Sequence, residues 1–197
     1  MKIIAFSDTH GKVTPTIPEC DLLIFAGDFS AIGSYSESVK FINTFDTLPG
    51  VNKIIVPGNH DYYVEMTDKK NTYLEECFEL EGINFMTSSY TPEFCNWNYM
   101  LSERELRILM KFWPTDVNVL ITHGPPYGIL DMNKDGEHCG SKALLEYVER
   151  VTPDVHIFGH IHHSFGHTEI NGTKFYNVSL LDDDYKYVNP ITEITYG

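Results

Sequence analysis

Five short apolar runs, KIIAF, LLIFA, KIIVP, VLIT and VHIF, each stop at or just short of residues that can bind a metal ion. The clusters that follow them are Asp8-Thr9-His10, Gly27-Asp28, Gly58-Asn59-His60-Asp61, Thr122-His123-Gly124 and Gly159-His160-Ile161-His162. In open α/β sheets ligands bind outside the carboxyl ends of the strands, so segments far apart in sequence can converge on one rim. The chain is thereby constrained to a fold in which these runs are strands that deliver their clusters to a common edge.

The intervening segments support that layout. A helix is expected from Tyr35 to Phe45, capped by Ser34 or Ser36, with Val39, Ile42 and Phe45 on one face and Pro49-Gly50 as its stop. Strand, helix and strand in succession favour a parallel core. A second helix is expected from Asn71 to Glu79, and the runs from Ile83 to Met86 and from Phe94 to Met100 predict an antiparallel stretch. Ser102 and Glu105 form a capping-box pair, and Leu106, Leu109, Met110 and Trp113 repeat at helical spacing. Residues 124–140 lack periodicity and form a candidate functional loop, followed by a helix from Ser141 to Val151. The tail reads as strands from Val155 to Phe158, Phe165 to Ile170, Lys174 to Val178 and Thr192 to Thr195, with Asn171-Gly172 as a hairpin turn.

At 197 residues the chain is expected to be a single domain spanning residues 1–197. Its 28 acidic and 14 basic residues give a formal charge of -14, which argues against sustained binding to long nucleic acid. Small phosphate substrates remain compatible, because bound divalent cations can reverse the sign of a site. Met1-Lys2-Ile3-Ile4 opens the first strand directly, so no leader is expected, and no run is long enough to span a bilayer. Cys20, Cys77, Cys95 and Cys139 form no Cys-x-x-Cys pair and are expected to be reduced thiols of an intracellular, cytoplasmic protein. The sequence carries no signal for oligomeric state.

Taken singly, each cluster has an ordinary structural reading: a turn or cap aspartate, a hydrogen-bonded histidine, a local Asn-His-Asp turn. Together, imidazole, carboxylate and amide donors after five strands point to metal binding. Nitrogen and oxygen donors without thiolate suit Mn²⁺, Fe or Zn²⁺; they do not choose among the three, and Mn²⁺ is the working expectation. Two ions about 3.5–4 Å apart can share a hydroxide of lowered pKa and stabilise an in-line phosphoryl transition state. One carboxylate must bridge them, and Asp28 is the natural candidate.

The same residues resemble the signature of the calcineurin-like metallophosphoesterases, and the resemblance covers the chain almost end to end. It implies a four-layer αββα sandwich with two mixed β-sheets and a dimetal site at one edge. It also implies two metal sets sharing Asp28: Asp8, His10, Asp28 and His162, and Asp28, Asn59, His123 and His160. The resemblance gives His60 no metal, and makes it the residue beside the substrate phosphate that protonates the leaving oxygen. Ala26-Gly27-Asp28-Phe29, residues 122–131, residues 158–162, Phe94-Cys95-Asn96-Trp97-Asn98 and Asn177-Val178-Ser179 are similar to strings of the metallophosphoesterase-domain-containing subgroup, which includes cyclic-nucleotide phosphodiesterases. Some mammalian members lack the last metal-binding histidine, whereas His162 is present here, so an active dimetal enzyme is expected. Gly140-Ser141 departs from the subgroup's Gly-Cys, and no segment like the animal proteins' N-terminal extension precedes the first strand.

No large cap segment interrupts the motifs, so an open groove is expected, which favours diesters. Asn59, His60, His123, Tyr127 and Trp97 are the candidate substrate contacts, and an aromatic face can stack a nucleobase for ~1–3 kcal/mol. Tyr62, Tyr63 and Phe94 lie near the motifs too, but most aromatics in a chain with 12 Tyr and 12 Phe belong to the core. His163 reads as a surface residue, and Asp61 either orients His60 or makes a local structural hydrogen bond. The leading expectation is a phosphodiesterase for small or cyclic nucleotides. A monoesterase or protein Ser/Thr phosphatase of the same fold, a non-catalytic scaffold and a nuclease are the alternatives.

Overall fold

The computed structural model describes residues 1–67 and 71–197. Along them run β1 (Lys2–Phe6), β2 (Leu22–Phe25), α1 (Tyr35–Asp46), β3 (Asn52–Ile55), β4 (Cys77–Leu80), β5 (Ile83–Ser88), β6 (Thr91–Pro92), β7 (Met100–Leu101), α2 (Glu103–Leu109), β8 (Val119–Thr122), α3 (Lys142–Val151), β9 (Val155–Phe158), β10 (Gly166–Ile170), β11 (Thr173–Asn177) and β12 (Thr192–Thr195). One sheet has the order β12-β1-β2-β3 and the other β10-β11-β9-β8-β5-β4. Within them β1, β2 and β3 are parallel, as are β5, β8, β9 and β11, while β12, β10 and β4 add antiparallel edges.

Continuous apolar runs suit these strands because both of their faces are buried. Ile3, Ala5, Leu22, Ile24, Ile54, Phe85, Val119, Ile121, Val155 and Ile157 form one core between the two sheets. The alternate residues Ile4, Phe6, Leu23, Phe25 and Ile55 pack with Ile42 and Phe45 of α1. On the other side Met86, Leu120, Phe158 and Phe175 pack with Leu106 of α2 and Leu144, Tyr147 and Val148 of α3. Helix, sheet, sheet and helices therefore stack as the expected αββα layers.

Local signals set the helix starts. Ser34 and Glu37 make reciprocal capping bonds on α1, and Ser102 and Glu105 do the same on α2. Ser141 is the N-cap of α3, whose first helical residue is Lys142. Asn171 and Gly172 both adopt positive φ, 52° and 88°, joining β10 to β11 as a tight hairpin requires.

Two expectations fail. The segment from Asn71 to Glu79 is not a helix; its end forms β4. Its backbone groups are taken by sheet edges instead: Ile55 N–H donates to Asn71 O, Tyr73 N–H to Ile55 O, Ser89 N–H to Leu74 O and Thr87 N–H to Glu76 O. It crosses from the edge of one sheet to the edge of the other, and that pairing overrides its helical spacing. The run from Phe94 to Met100 is likewise not an antiparallel strand. Only Met100 enters a strand, pairing parallel with Thr91 in the short β6–β7 ribbon, while residues 94–98 are irregular. Asn98 N–H donates to Asn59 O at 3.2 Å, so that loop is tied to the Asn59-His60-Asp61 turn.

Glu75 anchors the crossing segment by accepting hydrogen bonds from Ser88 Oγ and Trp113 Nε1. Burial pushes its carboxyl up to about 7 against the opposing pull of those two donors. The folded protein therefore holds a proton that the unfolded chain releases, so this contribution is full below about pH 4.5 and is lost as pH rises through about 7. In urea unfolding at several pH values, Glu75→Gln is expected to remove a slope worth on the order of 3 kcal/mol across that window. Parallel profiles for variant and parent would contradict it.

Candidate metal centre

The carboxyl ends of β1, β2, β3, β8 and β9 bring all five clusters to one rim. The two sheets meet there: Ser7 N–H donates to Val178 O and Leu180 N–H to Ser7 O, bridging the strand extensions after β1 and β11. Three sets of possible ligand atoms lie within 4.8 Å of one another: Asp8, His10 and His162; His10, Asp28 and His60; and Asp28, His123 and His160. Asn59 Oδ1 joins the last set, 2.9 Å from His123 Nε2. All seven expected ligands and His60 are therefore assembled, with Asp28 common to both sides.

Convergence requires sharp backbone turns. Asp8, His10, Asp28 and His160 have φ of 55°, 44°, 63° and 69°, the left-handed region that non-glycine residues seldom occupy. Each such residue costs of order 1–3 kcal/mol, a strain that the surrounding structure must hold. Gly27 lies at φ 100°, and a Cβ there would overlap the His123 ring and stand 3.0 Å from Gly58 Cα. Two glycine backbones thus pack together beneath His123, which explains why glycine precedes both Asp28 and Asn59.

Asp61 holds this arrangement. Its Oδ2 accepts from the N–H groups of Asp28, Phe29 and Gly58, and its Oδ1 accepts from Ser30 N–H at 2.9 Å. Of the two roles open to it, the contacts show the structural one: it clamps the turn after β2 to the turn after β3. Burial and the Asp28 charge push its carboxyl up to about 7, opposed by those same backbone donors.

Backbone carbonyls orient the imidazoles. The Nδ1 atoms of His10, His123, His162 and His60 lie 3.2, 2.9, 3.0 and 3.1 Å from the carbonyls of Ser30, Ala26, Asp182 and Ala31. An Nδ1–H donated to a carbonyl fixes the ring and turns Nε2 inward, as metal-binding histidines require. Burial favours neutral imidazole at His10 and holds His160 down to about 3. At His123 and His162 burial is outweighed by Asp28 and Asp8 respectively, and both rise to about 9. Burial also opposes ionisation of Asp8 and Asp28, yet His162 and His123 hold both carboxyls well below the usual range. His10 Nε2 is buried without a hydrogen-bond partner, 3.8 Å from Asp28 Oδ2. An orphaned imidazole nitrogen among carboxylates fits a divalent cation.

His10, Asp28, Asn59, His60, His160 and His162 floor a groove of about 870 Å³ whose walls include Phe94, Trp97, Tyr127, His138, Lys142 and Tyr185. Tyr127 and Trp97 thus reach the groove, although Trp97 is stacked on His60, 4.2 Å between ring centroids. Tyr62 and Tyr63 are exposed, and His163 is a surface residue paired with Asp183 at 3.2 Å. The 124–140 loop is ordered by buried Asp131, which accepts from Gly128 and Gly140 N–H and bonds His138 Nδ1 at 2.7 Å. Sequence reasoning missed three neighbours of the candidate metal ligands. Ser179 Oγ donates to Asp8 Oδ2 at 2.8 Å, Asp182 O holds His162, and the Tyr185 ring lies 4.9 Å from that of His10. Only Ser179 had a sequence signal, since it directly follows the expected strand run from Lys174 to Val178 as the other clusters follow theirs.

A fold of two stacked mixed sheets with a histidine and carboxylate rim defines a metallophosphoesterase architecture. The chain belongs to the calcineurin-like phosphoesterase family, which matches residues 1–164. It is 34% identical over 202 residues to UPF0046 protein K07C11.7 of Caenorhabditis elegans, covering 91% of this chain and 69% of that protein. It is 32% identical over 226 residues to human metallophosphoesterase domain-containing protein 1, covering 96% of this chain and 69% of that protein. The solved phosphopantetheinyl hydrolase of Mycobacterium tuberculosis shares the fold with a TM-score of 0.59 at 18% identity, covering 93% of this chain and 90% of that one.

Asp28 and Asp8 raise His123 and His162 to about 9, so a cation taken up through these two imidazoles would have to displace their Nε2 protons. Calorimetry in buffers of different ionisation enthalpy is expected to show about two protons released per chain at about pH 7, with affinity rising towards pH 9. Uptake without proton release would contradict this electrostatic account. Asp61→Ala leaves its backbone donors buried without an acceptor and is expected to cost on the order of 3 kcal/mol in chemical unfolding, with weakened metal uptake. A change below about 0.5 kcal/mol would mean that the clamp is dispensable.

Proposed function

We propose that the chain is a metal-dependent phosphodiesterase acting on small nucleotide diesters, cyclic ones included. The position of Asp28, within 4.8 Å of His10 on one side and of His123 and His160 on the other, at the floor of an open groove carries this reading. Family membership supports metal-dependent phosphoester hydrolysis, and the groove, walled by Trp97, Tyr127 and Phe94, supports a diester with an aromatic group. The acidic balance of the chain favours a small phosphoester over long nucleic acid.

Asp8, His10, Asp28 and His162 would hold one ion, and Asp28, Asn59, His123 and His160 the other, with Mn²⁺ favoured over Fe or Zn²⁺. Divalent ions at such a site lower the pKa of water and offset the charge that develops on phosphoryl oxygens. The chain's own residues supply the rest. Asn59, which lines the groove, would face a non-bridging phosphoryl oxygen, and Tyr127 would flank the organic group; His123, expected as a substrate contact, is fully buried behind the groove lining, which leaves it the ligand role alone. As hydroxide formed from water, whose other proton passes to solvent, bonds to phosphorus and the ester P–O bond breaks, His60 in its imidazolium form, with Nδ1–H donated to Ala31 O, gives the Nε2 proton to the leaving oxygen and ends neutral. His60 suits that role because its Nδ1 is held by Ala31 O, which leaves Nε2 available.

Among the described residues no helix is long and apolar enough to cross a membrane, and Cys20, Cys77, Cys95 and Cys139 are free thiols. Free thiols are in keeping with a reducing, cytoplasmic setting.

The test is hydrolysis of bis-p-nitrophenyl phosphate, cyclic nucleotides, p-nitrophenyl phosphate and a phosphopeptide with Mn²⁺ added and metal content measured. Turnover of the diesters ahead of the monoesters is expected. No turnover with any divalent metal would sink the enzyme reading, and preference for p-nitrophenyl phosphate or phosphopeptide would make it a monoesterase. His60→Ala is expected to retain its metal while losing on the order of 10²-fold in kcat on a substrate with a poor leaving group. An unchanged rate there would remove the acid role.

A further inference from the structure

We propose that Trp97 is a positioning residue for His60, setting the direction of its Nε2 rather than chiefly stacking on substrate; this rests on the acid role assigned to His60 above. The two rings are stacked, with centroids 4.2 Å apart and planes 25° from parallel. The opposite constraint comes from His10, whose ring meets that of His60 edge to face at 4.6 Å and 85°. His60 Nδ1 lies 3.1 Å from Ala31 O, and its backbone N–H donates to Asp28 Oδ1 at 2.8 Å. A hydrogen bond at one ring nitrogen still permits rotation about the line to its acceptor. The indole face removes that freedom, because turning the imidazole would break the stack.

The loop carrying Trp97 is built into the same unit. Asn98 N–H donates to Asn59 O at 3.2 Å, Asn98 Nδ2 donates to Asp61 O at 3.3 Å, and Tyr62 O–H donates to Asn96 O at 3.4 Å. The indole is thus fastened by its neighbours to the turn that carries His60, so the two rings keep register even if the rest of the groove wall moves. Trp97 is 37% exposed. That exposure comes with a face already occupied by imidazole, which leaves its edge and outer face for any direct substrate contact. Proton transfer depends steeply on direction and distance, so a ring held loosely loses rate without losing affinity.

The experiment uses the metal-loaded full chain as Trp97→Ala, Trp97→Phe, His60→Ala and the double variant Trp97→Ala/His60→Ala. Each is assayed on diesters of one nucleotide with alkyl or 4-nitrophenyl leaving groups, the alkoxide being the one that needs the acid. Trp97→Ala is expected to lower kcat on the alkyl ester about ten-fold or more beyond its effect on the 4-nitrophenyl ester, with KM within about two-fold. Trp97→Phe is expected to recover most of the loss, and adding Trp97→Ala to His60→Ala to change nothing further. A readout without turnover accompanies these, taken on the chain loaded with diamagnetic Zn²⁺: indole ring current should shift the His60 ring protons upfield in NMR, and Trp97→Ala should reverse that shift while metal content is kept. An equal loss on both esters, a rise confined to KM, or full additivity with His60→Ala would overturn the proposal and make Trp97 a substrate contact. An absent ring-current shift would overturn it as well. If His60→Ala itself shows no leaving-group selectivity, the acid assignment falls, and the NMR shift then separates that failure from the absence of the stack.

Discussion

Three carboxylates buried at one rim, Asp8, Asp28 and Asp61 at 0%, 2% and 0% exposure, are the constraint on which the rest of this site depends. An ionised carboxylate out of water is costly unless donors or cations meet it. Asp61 is met by backbone N–H groups from two turns. Asp8 receives His160 N–H, the hydroxyls of Ser7 and Ser179, and the His162 imidazole. Asp28 receives His60 N–H and stands 3.4 Å from His123 Nε2. What these donors leave is a ring of imidazole nitrogens and carboxylate oxygens facing inward, with His10 Nε2 unpartnered. Cations would complete that charge pattern, and the histidines are oriented from behind so that protons and a metal would compete for the same inward lone pairs.

The fold supplies the rigidity for holding this. Strands buried on both faces lock β1, β2, β3, β8 and β9 between helical layers, so their carboxyl ends cannot drift apart. The strained turns at Asp8, His10, Asp28 and His160 follow directly from those strands, where apolar burial can offset local backbone cost. The walls of the groove sit on less regular chain: the 94–98 loop, the 124–140 loop and the tail around Tyr185. Rim and groove thus divide the work, fixed positions for the chemistry and connecting segments for the shape of what binds.

Much of the architecture is legible in the sequence because it is local. Apolar runs, capping pairs such as Ser102 with Glu105, and the Asn171-Gly172 turn each carry their signal within a few residues. Every expected ligand reached the rim for the same reason: each sits a fixed, short distance beyond a strand. The misses are where partners are distant. The spacing from Asn71 to Glu79 is helical, but the unpaired edges of β3 and β5 claimed its backbone. For Asp61 the sequence left open whether it orients His60 or makes a local structural hydrogen bond; the role is structural, but its donors at residues 28–30 lie far from it in sequence. Trp97 read as a groove aromatic, and its stack on His60 depends on a loop tied to the β3 turn from nearly forty residues away. Tyr185 had no local cue at all.

The claim that Asp28 is shared by two ions is tested most directly by electron paramagnetic resonance of the chain titrated with Mn²⁺. Ions held by one carboxylate are close enough to couple magnetically. A coupled-pair spectrum growing in as the second equivalent binds is the predicted result. A spectrum of isolated, uncoupled Mn²⁺ at full loading would contradict the shared centre.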